Sequence, residues 1–209
     1  MALNLPEAIL NGDGLNEILM RECDIFFCTA PRNTEYLGHG EVYSIPFETF
    51  AVDGSGGEYV QLEDGSIGLI SSEGSVGRVA ESIEDLLQFL IHAGCISDFD
   101  CKYVYKSDKL LSSFCSGYVE KSRKAYGEKG ADFDDIRSEL ARKLSLEYDP
   151  DKLTEYALRF YAAATREPLF TCKFGDGDEE FICDGIISDI LGLWVYELVG
   201  MTRDEILNY

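Results

Sequence analysis

The sequence predicts an α+β protein. An antiparallel or mixed sheet, laid out as a meander and packed with helices, is followed by a mainly helical C-terminal half. Three observations predict this. Short apolar runs recur between residues 47 and 80, separated by glycine-bearing turns. Apolar residues at 3–4 spacing take over from Ser82 onward. A change in charge near residue 100 coincides with the change in pattern, so we divide the chain into an α+β unit over 1–100 and a helical half over 101–209. The second is either separate or packed on the first as one unit.

The elements follow in order. Ile9, Ile18, Leu19 and Met20 give a weak helical stripe that Gly12 and Gly14 break into two short helices. Ile25 to Cys28 is an apolar run suited to a strand. Phe47 to Val52 is the first meander strand, and Gly54 to Gly57 turns the chain. Tyr59, Val60 and Leu62 form the next strand. Glu63-Asp64-Gly65 is a hairpin turn, because Asp and Gly accept the positive φ that tight hairpins need. Ile67, Leu69 and Ile70 return, Ser72 to Ser75 turns again, and Val76 to Ala80 is the last strand. Ser82, with Asp85 three residues on, caps a helix striped by Ile83, Leu86, Leu87, Leu90 and Ile91 and stopped at Gly94.

The second half reads as helices. Leu110, Leu111, Phe114, Tyr118 and Val119 make one that Gly117 weakens, and Ile136, Leu140 and Leu144 another. Asp149-Pro150 is a cap and N1 proline ahead of Leu153, Tyr156, Ala157, Phe160 and Tyr161. Leu169 to Phe174 is a candidate strand. Ile186 to Val199 reads as one apolar helix bearing the single tryptophan, Trp194. Thr202 and Glu205 form a capping box before a short final helix.

Charge narrows the function. Eighteen Lys and Arg stand against 39 Asp and Glu across 209 residues, a net of −21. Such a chain is repelled by phosphate backbones and anionic lipid, so direct nucleic-acid binding and membrane binding are excluded as expectations. Three basic and 18 acidic residues give the first hundred a net of −15, and that segment holds no lysine. Lys102 to Lys129 carries seven basic residues against three acidic ones. It reads as an internal complement to the acidic half or as a solvated helix face. Neither a signal peptide nor an apolar run of membrane length is visible. The seven cysteines, Cys23, Cys28, Cys95, Cys101, Cys115, Cys172 and Cys183, read as reduced thiols, which places the protein in the cytoplasm.

The run Phe50-Ala51-Val52-Asp53-Gly54-Ser55-Gly56-Gly57-Glu58-Tyr59, the hairpin after it and the serine-capped Ser82-Ile83-Glu84-Asp85-Leu86-Leu87-Gln88-Phe89-Leu90 resemble the core of the SUKH superfamily over about residues 45–95. The family-like turn motif is Asp53, Gly54, Ser55, Gly56, Gly57, Glu58 and Tyr59. The N-terminus departs from the family, with Leu5-Pro6-Glu7 the faint counterpart of its usual opening helix. The resemblance implies an α+β domain and an immunity protein that binds and neutralises a cognate toxin, in many cases a nuclease. It equally allows a regulatory or scaffold protein that binds a housekeeping partner. A basic toxin domain is the partner the acidic half suits. Glu58, Glu63, Asp64 and Glu73 flank the meander turns and are the candidate partner contacts, with solubilising turn residues as the plain alternative.

Other motifs give no enzyme. Gly54-Ser55-Gly56-Gly57 could cradle a phosphate, but a strand follows it where a helix N-terminus is required. Asp176, Asp178 and Glu180 begin like a calcium loop, but the sixth position is Phe181 and the twelfth Ile187, so a solvated acidic turn is expected. His39 sits between glycines and His92 on a helix, and no chelating pair accompanies either. No cofactor, metal or catalytic set is assigned. An enzyme whose site is assembled from distant residues stays open as a third reading.

Overall fold

The computed structural model describes residues 5–32, 40–176 and 179–209. It is an α+β fold. Two short helices, α1 (Leu5–Asn11) and α2 (Leu15–Cys23), are parted at Gly14, whose φ of 68° suits glycine. Five strands follow in an antiparallel sheet of order β1-β3-β4-β5-β6: β1 (Phe26–Arg32), β3 (Phe47–Val52), β4 (Glu58–Leu62), β5 (Ile67–Ile70) and β6 (Val76–Ala80). The three turns of the meander fall where glycine and Asp-Gly place them, with Gly56, Gly65 and Gly74 all at positive φ. Helix α3 (Ile83–Ala93) starts at Ser82, whose side chain accepts from the Asp85 N–H, and ends at Gly94.

The second half supplies α4 (Asp108–Gly127), α5 (Phe133–Leu144), α6 (Leu153–Thr165), α7 (Leu193–Val199) and α8 (Arg203–Leu207). Asp149 accepts from the Asp151 N–H, and Pro150 opens a single 3-10 turn ahead of α6. Thr202 and Glu205 make the reciprocal capping box of α8. Gly117, read from sequence as a weak point of α4, is where the backbone of Leu198 in α7 lies against that helix. A side chain there would collide with it.

Two features differ from the expectation. The chain from Ile186 to Leu191 is not helical. Backbone groups of Ser188 at its centre are taken by distant partners: Ser188 N–H donates to Asp100 O (2.8 Å) and Lys102 N–H to Ser188 O (2.9 Å), while just before the segment Val76 N–H donates to Asp184 O (2.8 Å). The helix therefore begins only after Gly192. The segments on either side of the acidic turn expected around residue 178 belong to a second, three-stranded sheet. Its order is β2-β7-β8, from β2 (Val42–Tyr43), β7 (Cys172–Asp176) and β8 (Glu179–Ile182). Asp178 and His39 lie outside the described residues.

The five-stranded sheet is buried on both faces, which is why β6 is buried at all five positions. Successive residues face opposite layers. Tyr59 points into the main core against the helices, and Val60 into a smaller core under the second sheet. The smaller core is built on Phe170, Cys172, Val60, Leu62 and Val76, with Tyr43 and Phe47 around Phe170 at ring-centroid distances of 5.8 Å. Gly68 makes this layer possible: a Cβ there would stand 2.8 Å from the Phe170 ring. The main core runs through both sides of residue 100, from Ile9 and Leu19 through Leu86 and Phe89 to Phe114, Phe160 and Val195.

Candidate functional site

The meander presents a turn cluster at each end of the sheet. At one end stand the β3–β4 and β5–β6 turns, joined by a Ser72 to Ser55 hydroxyl hydrogen bond of 3.1 Å. The glycine-rich turn is closed on itself. One Asp53 carboxylate oxygen accepts from Ser55 N–H (2.9 Å), Ser55 Oγ (2.8 Å) and Gly57 N–H (2.7 Å), and Asp24 accepts from Gly54 N–H (2.9 Å). The donors a phosphate would require are already spent on carboxylates, so this loop is a structural turn. Tyr59 behind it is buried, and loss of water pushes its phenol well above the usual range.

Glu58 and Glu73 lie at this same end. Glu58 is held by Thr49, whose hydroxyl donates to it at 2.7 Å, whereas the Glu73 side chain is exposed. Burial, then the charges of Asp98 and Glu73, push the Asp100 carboxyl up to about 6. Among the described residues, Asp24, Asp53, Glu73, Asp98 and Asp100 form no ion pair with Lys or Arg. This end of the sheet therefore carries uncompensated negative charge.

The opposite end holds Glu63 and Asp64, and the two have different fates. Glu63 is exposed, and among the described residues its carboxylate has no partner. Asp64 is committed to the fold. It accepts from the Ser66 N–H (3.0 Å) and hydroxyl, from Arg78 Nη2 (3.2 Å) and from Arg166 Nη2 (3.1 Å). The Ser66 hydrogen bonds, assisted by the two guanidiniums, hold its carboxyl far below the usual carboxylate range. Arg78 is the centre of this network and is 1% exposed. It also donates to Ser66 Oγ (2.8 Å) and to the carbonyls of Arg166 and Pro168 (3.1 Å each). The hairpin, β6 and the chain leaving α6 are thus tied at one buried guanidinium. Sequence reasoning missed Arg78, because a charged residue in a short strand reads as solvent-facing.

Four of the thiols and one imidazole are held in unreactive states. Burial raises the thiols of Cys23 and Cys115 to about 12 and those of Cys95 and Cys172 to about 11, which keeps them protonated and weakly nucleophilic. His92 is buried with both ring nitrogens bonded: Nδ1 donates to Gln88 O (2.7 Å) and Nε2 accepts from Asp149 N–H (3.2 Å). Among the described residues, no group of three or more His, Cys, Asp or Glu is placed to hold a metal ion. Glu180, from the calcium-like string, pairs with Lys173 across β7 and β8 at 3.2 Å.

The basic stretch is a solvated face, not a complement to the acidic half. Among the described residues its ion pairs, Lys102–Asp189, Lys121–Glu197 and Arg123–Asp134, stay within the second half. The pairs that cross between halves come from α6 and the residue after it: Arg159 to Asp85, and Arg166 to Asp64 and Glu81. Arg159, Arg166, Asp85 and Glu81 rim a cleft of about 350 Å³ between α3, β6 and α6. No helix is long and apolar enough to cross a membrane among the described residues. Comparison with family models, curated proteins and solved structures gave no match.

Proposed function

We propose that this chain is a non-enzymatic binding module whose acidic meander half docks on a basic protein partner. We propose further that it acts in the cytoplasm as an immunity protein that neutralises a cognate toxin. The observation that carries the reading is the placement of charge: a net of −15 in the first hundred residues, with carboxylates at both turn ends of the sheet. Glu63 and Glu73 are spare, since the fold does not use their side chains, and the crowding of Asp98, Asp100 and Glu73 is relieved by an approaching cation. The resemblance over residues 45–95 supplies the toxin. The protonated thiols and the fully bonded His92 favour binding over chemistry.

Co-expression tests this reading. A toxin-like gene product is sought among those encoded beside this chain and is expressed with and without it. Restored growth and a co-purifying complex support the proposal. Growth arrest that this chain does not relieve refutes the immunity role. Complex formation without rescue would replace it with the scaffold reading.

A further inference from the structure

We infer that the cleft between α3, β6 and α6 is a binding site for a small carboxylic acid with a compact apolar body, such as an aryl-alkyl carboxylate. This stands independently of the protein-partner reading. The cleft exists because α6 leans on β6 through the small, buried Ala80 and Ala163, with Ala162 at the open edge of the gap they leave. Its floor is aromatic: Phe89 and Phe160 stack 5.2 Å apart with planes 2° from parallel. At about 350 Å³ it falls at the lower end of the range of small-molecule sites, roughly 300 to 1,000 Å³, and it shares their apolar lining with few polar groups.

The polar groups select the ligand. Arg159 and Arg166 sit at the rim, seven residues and therefore about 10 Å apart along the helix axis. Both are fixed before any ligand arrives. Arg159 lies over the Tyr156 ring (5.3 Å) and pairs with Glu155 (2.6 Å) and Asp85 (3.4 Å). Arg166 pairs with Glu81 (2.8 Å) and Asp64 (3.1 Å), and its own carbonyl is held by Arg78. A preorganised guanidinium loses little freedom on binding. Each keeps idle donors: among the described residues, Nε of Arg159 and Nη1 of Arg166 have no acceptor. Each rim carboxylate already carries a guanidinium. Asp85 divides its oxygens between Arg159 and Ser82, and Glu81 accepts from Arg166. An amine would share carboxylates whose charge a guanidinium already offsets, whereas a carboxylate meets guanidinium donors that have no acceptor.

The test is a backbone-amide NMR titration of the full chain at constant ionic strength. The ligands are 3-phenylpropionate, 3-phenylpropan-1-ol and 3-phenylpropylamine. The acid is expected to shift Val79–Glu81 and Ala162–Arg166 saturably and to bind at least tenfold more tightly than the alcohol or amine. Arg159→Gln should weaken the acid about tenfold and leave the alcohol unchanged, the effect of one charge-assisted hydrogen bond in a partly exposed site. Ala162→Trp, at an exposed helix position, should fill the cleft and abolish the shifts with the circular dichroism spectrum unaltered. The inference is overturned if no saturable shift occurs, if the amine or alcohol binds as well as the acid, or if Ala162→Trp leaves acid binding intact.

Discussion

Arg78→Met removes the guanidinium at the junction of the hairpin, β6 and the chain after α6 while keeping most of the packed stem. Four interactions are lost at 2.8 to 3.2 Å, to Ser66, to two backbone carbonyls and to Asp64. The Asp64 pair contributes little, because that side chain is 38% exposed and water replaces the lost cation. The two carbonyls and the Ser66 hydroxyl matter more, since Arg78 is 1% exposed. An unsatisfied buried polar group costs about 1–3 kcal/mol, and partial rescue by Arg166 and by water brings the total to about 3 kcal/mol. In a chain of this size that is a fall of roughly 6–12 °C in melting temperature. Urea unfolding followed by Trp194 fluorescence and by circular dichroism measures it. Asp64→Asn should cost no more than about 1 kcal/mol in the same assay. A loss below about 1 kcal/mol for Arg78→Met, or a larger loss for Asp64→Asn, would refute the argument that the buried guanidinium ties these segments together.

His92 gives a pH dependence. Burial lowers its affinity for a proton, so the unfolded chain binds one more proton below about pH 6.5, and stability falls as pH drops through that value. Asp100, raised to about 6, acts in the opposite direction over the same window. The measurement is therefore the difference between the native and His92→Gln curves, which should narrow as pH falls from 7 to 5; parallel curves would contradict it. Gly68→Ala should destabilise by roughly 1–3 kcal/mol through collision with Phe170, and by less in a Phe170→Leu background; equal costs in both would mean the contact is not the cause. Asp53→Ala should cost about 1–2 kcal/mol, because it strips the glycine-rich turn of its acceptor, and a neutral result in urea unfolding would show that the turn holds its shape without it.

The meander was legible because its signals are local. Asp64-Gly65, Gly54 to Gly57 and the serine cap at Ser82 each fix backbone geometry within four residues. Of the second sheet only β7 was legible, as the run from Leu169 to Phe174; β2 was not, because Val42 pairs with Lys173 and Tyr43 with Cys172, more than a hundred residues away. Two residues carry no strand pattern of their own. The apolar run from Ile186 misled for a related reason: its helical period is real, but the tertiary hydrogen bonds of Ser188 to Asp100 and Lys102 outweigh it. Glu58, Glu63, Asp64 and Glu73 are equivalent in sequence. The fold separates them, engaging Glu58 with Thr49 and Asp64 with two arginines while leaving the other two to solvent. The cleft rim depends on Arg159 and Arg166 meeting acids more than 70 residues away, which no spacing rule reports.

The most direct test of the proposed function is the association rate with a toxin that this chain neutralises as salt is raised. Steering by the acidic half predicts that the rate falls by about tenfold or more between low salt and half-molar salt, with dissociation nearly unchanged. Glu63→Lys with Glu73→Lys, at side chains the fold does not use, should lower the low-salt rate without altering stability. An association rate that is indifferent to salt and to both reversals would contradict the claim that the charge of the meander half draws in the partner.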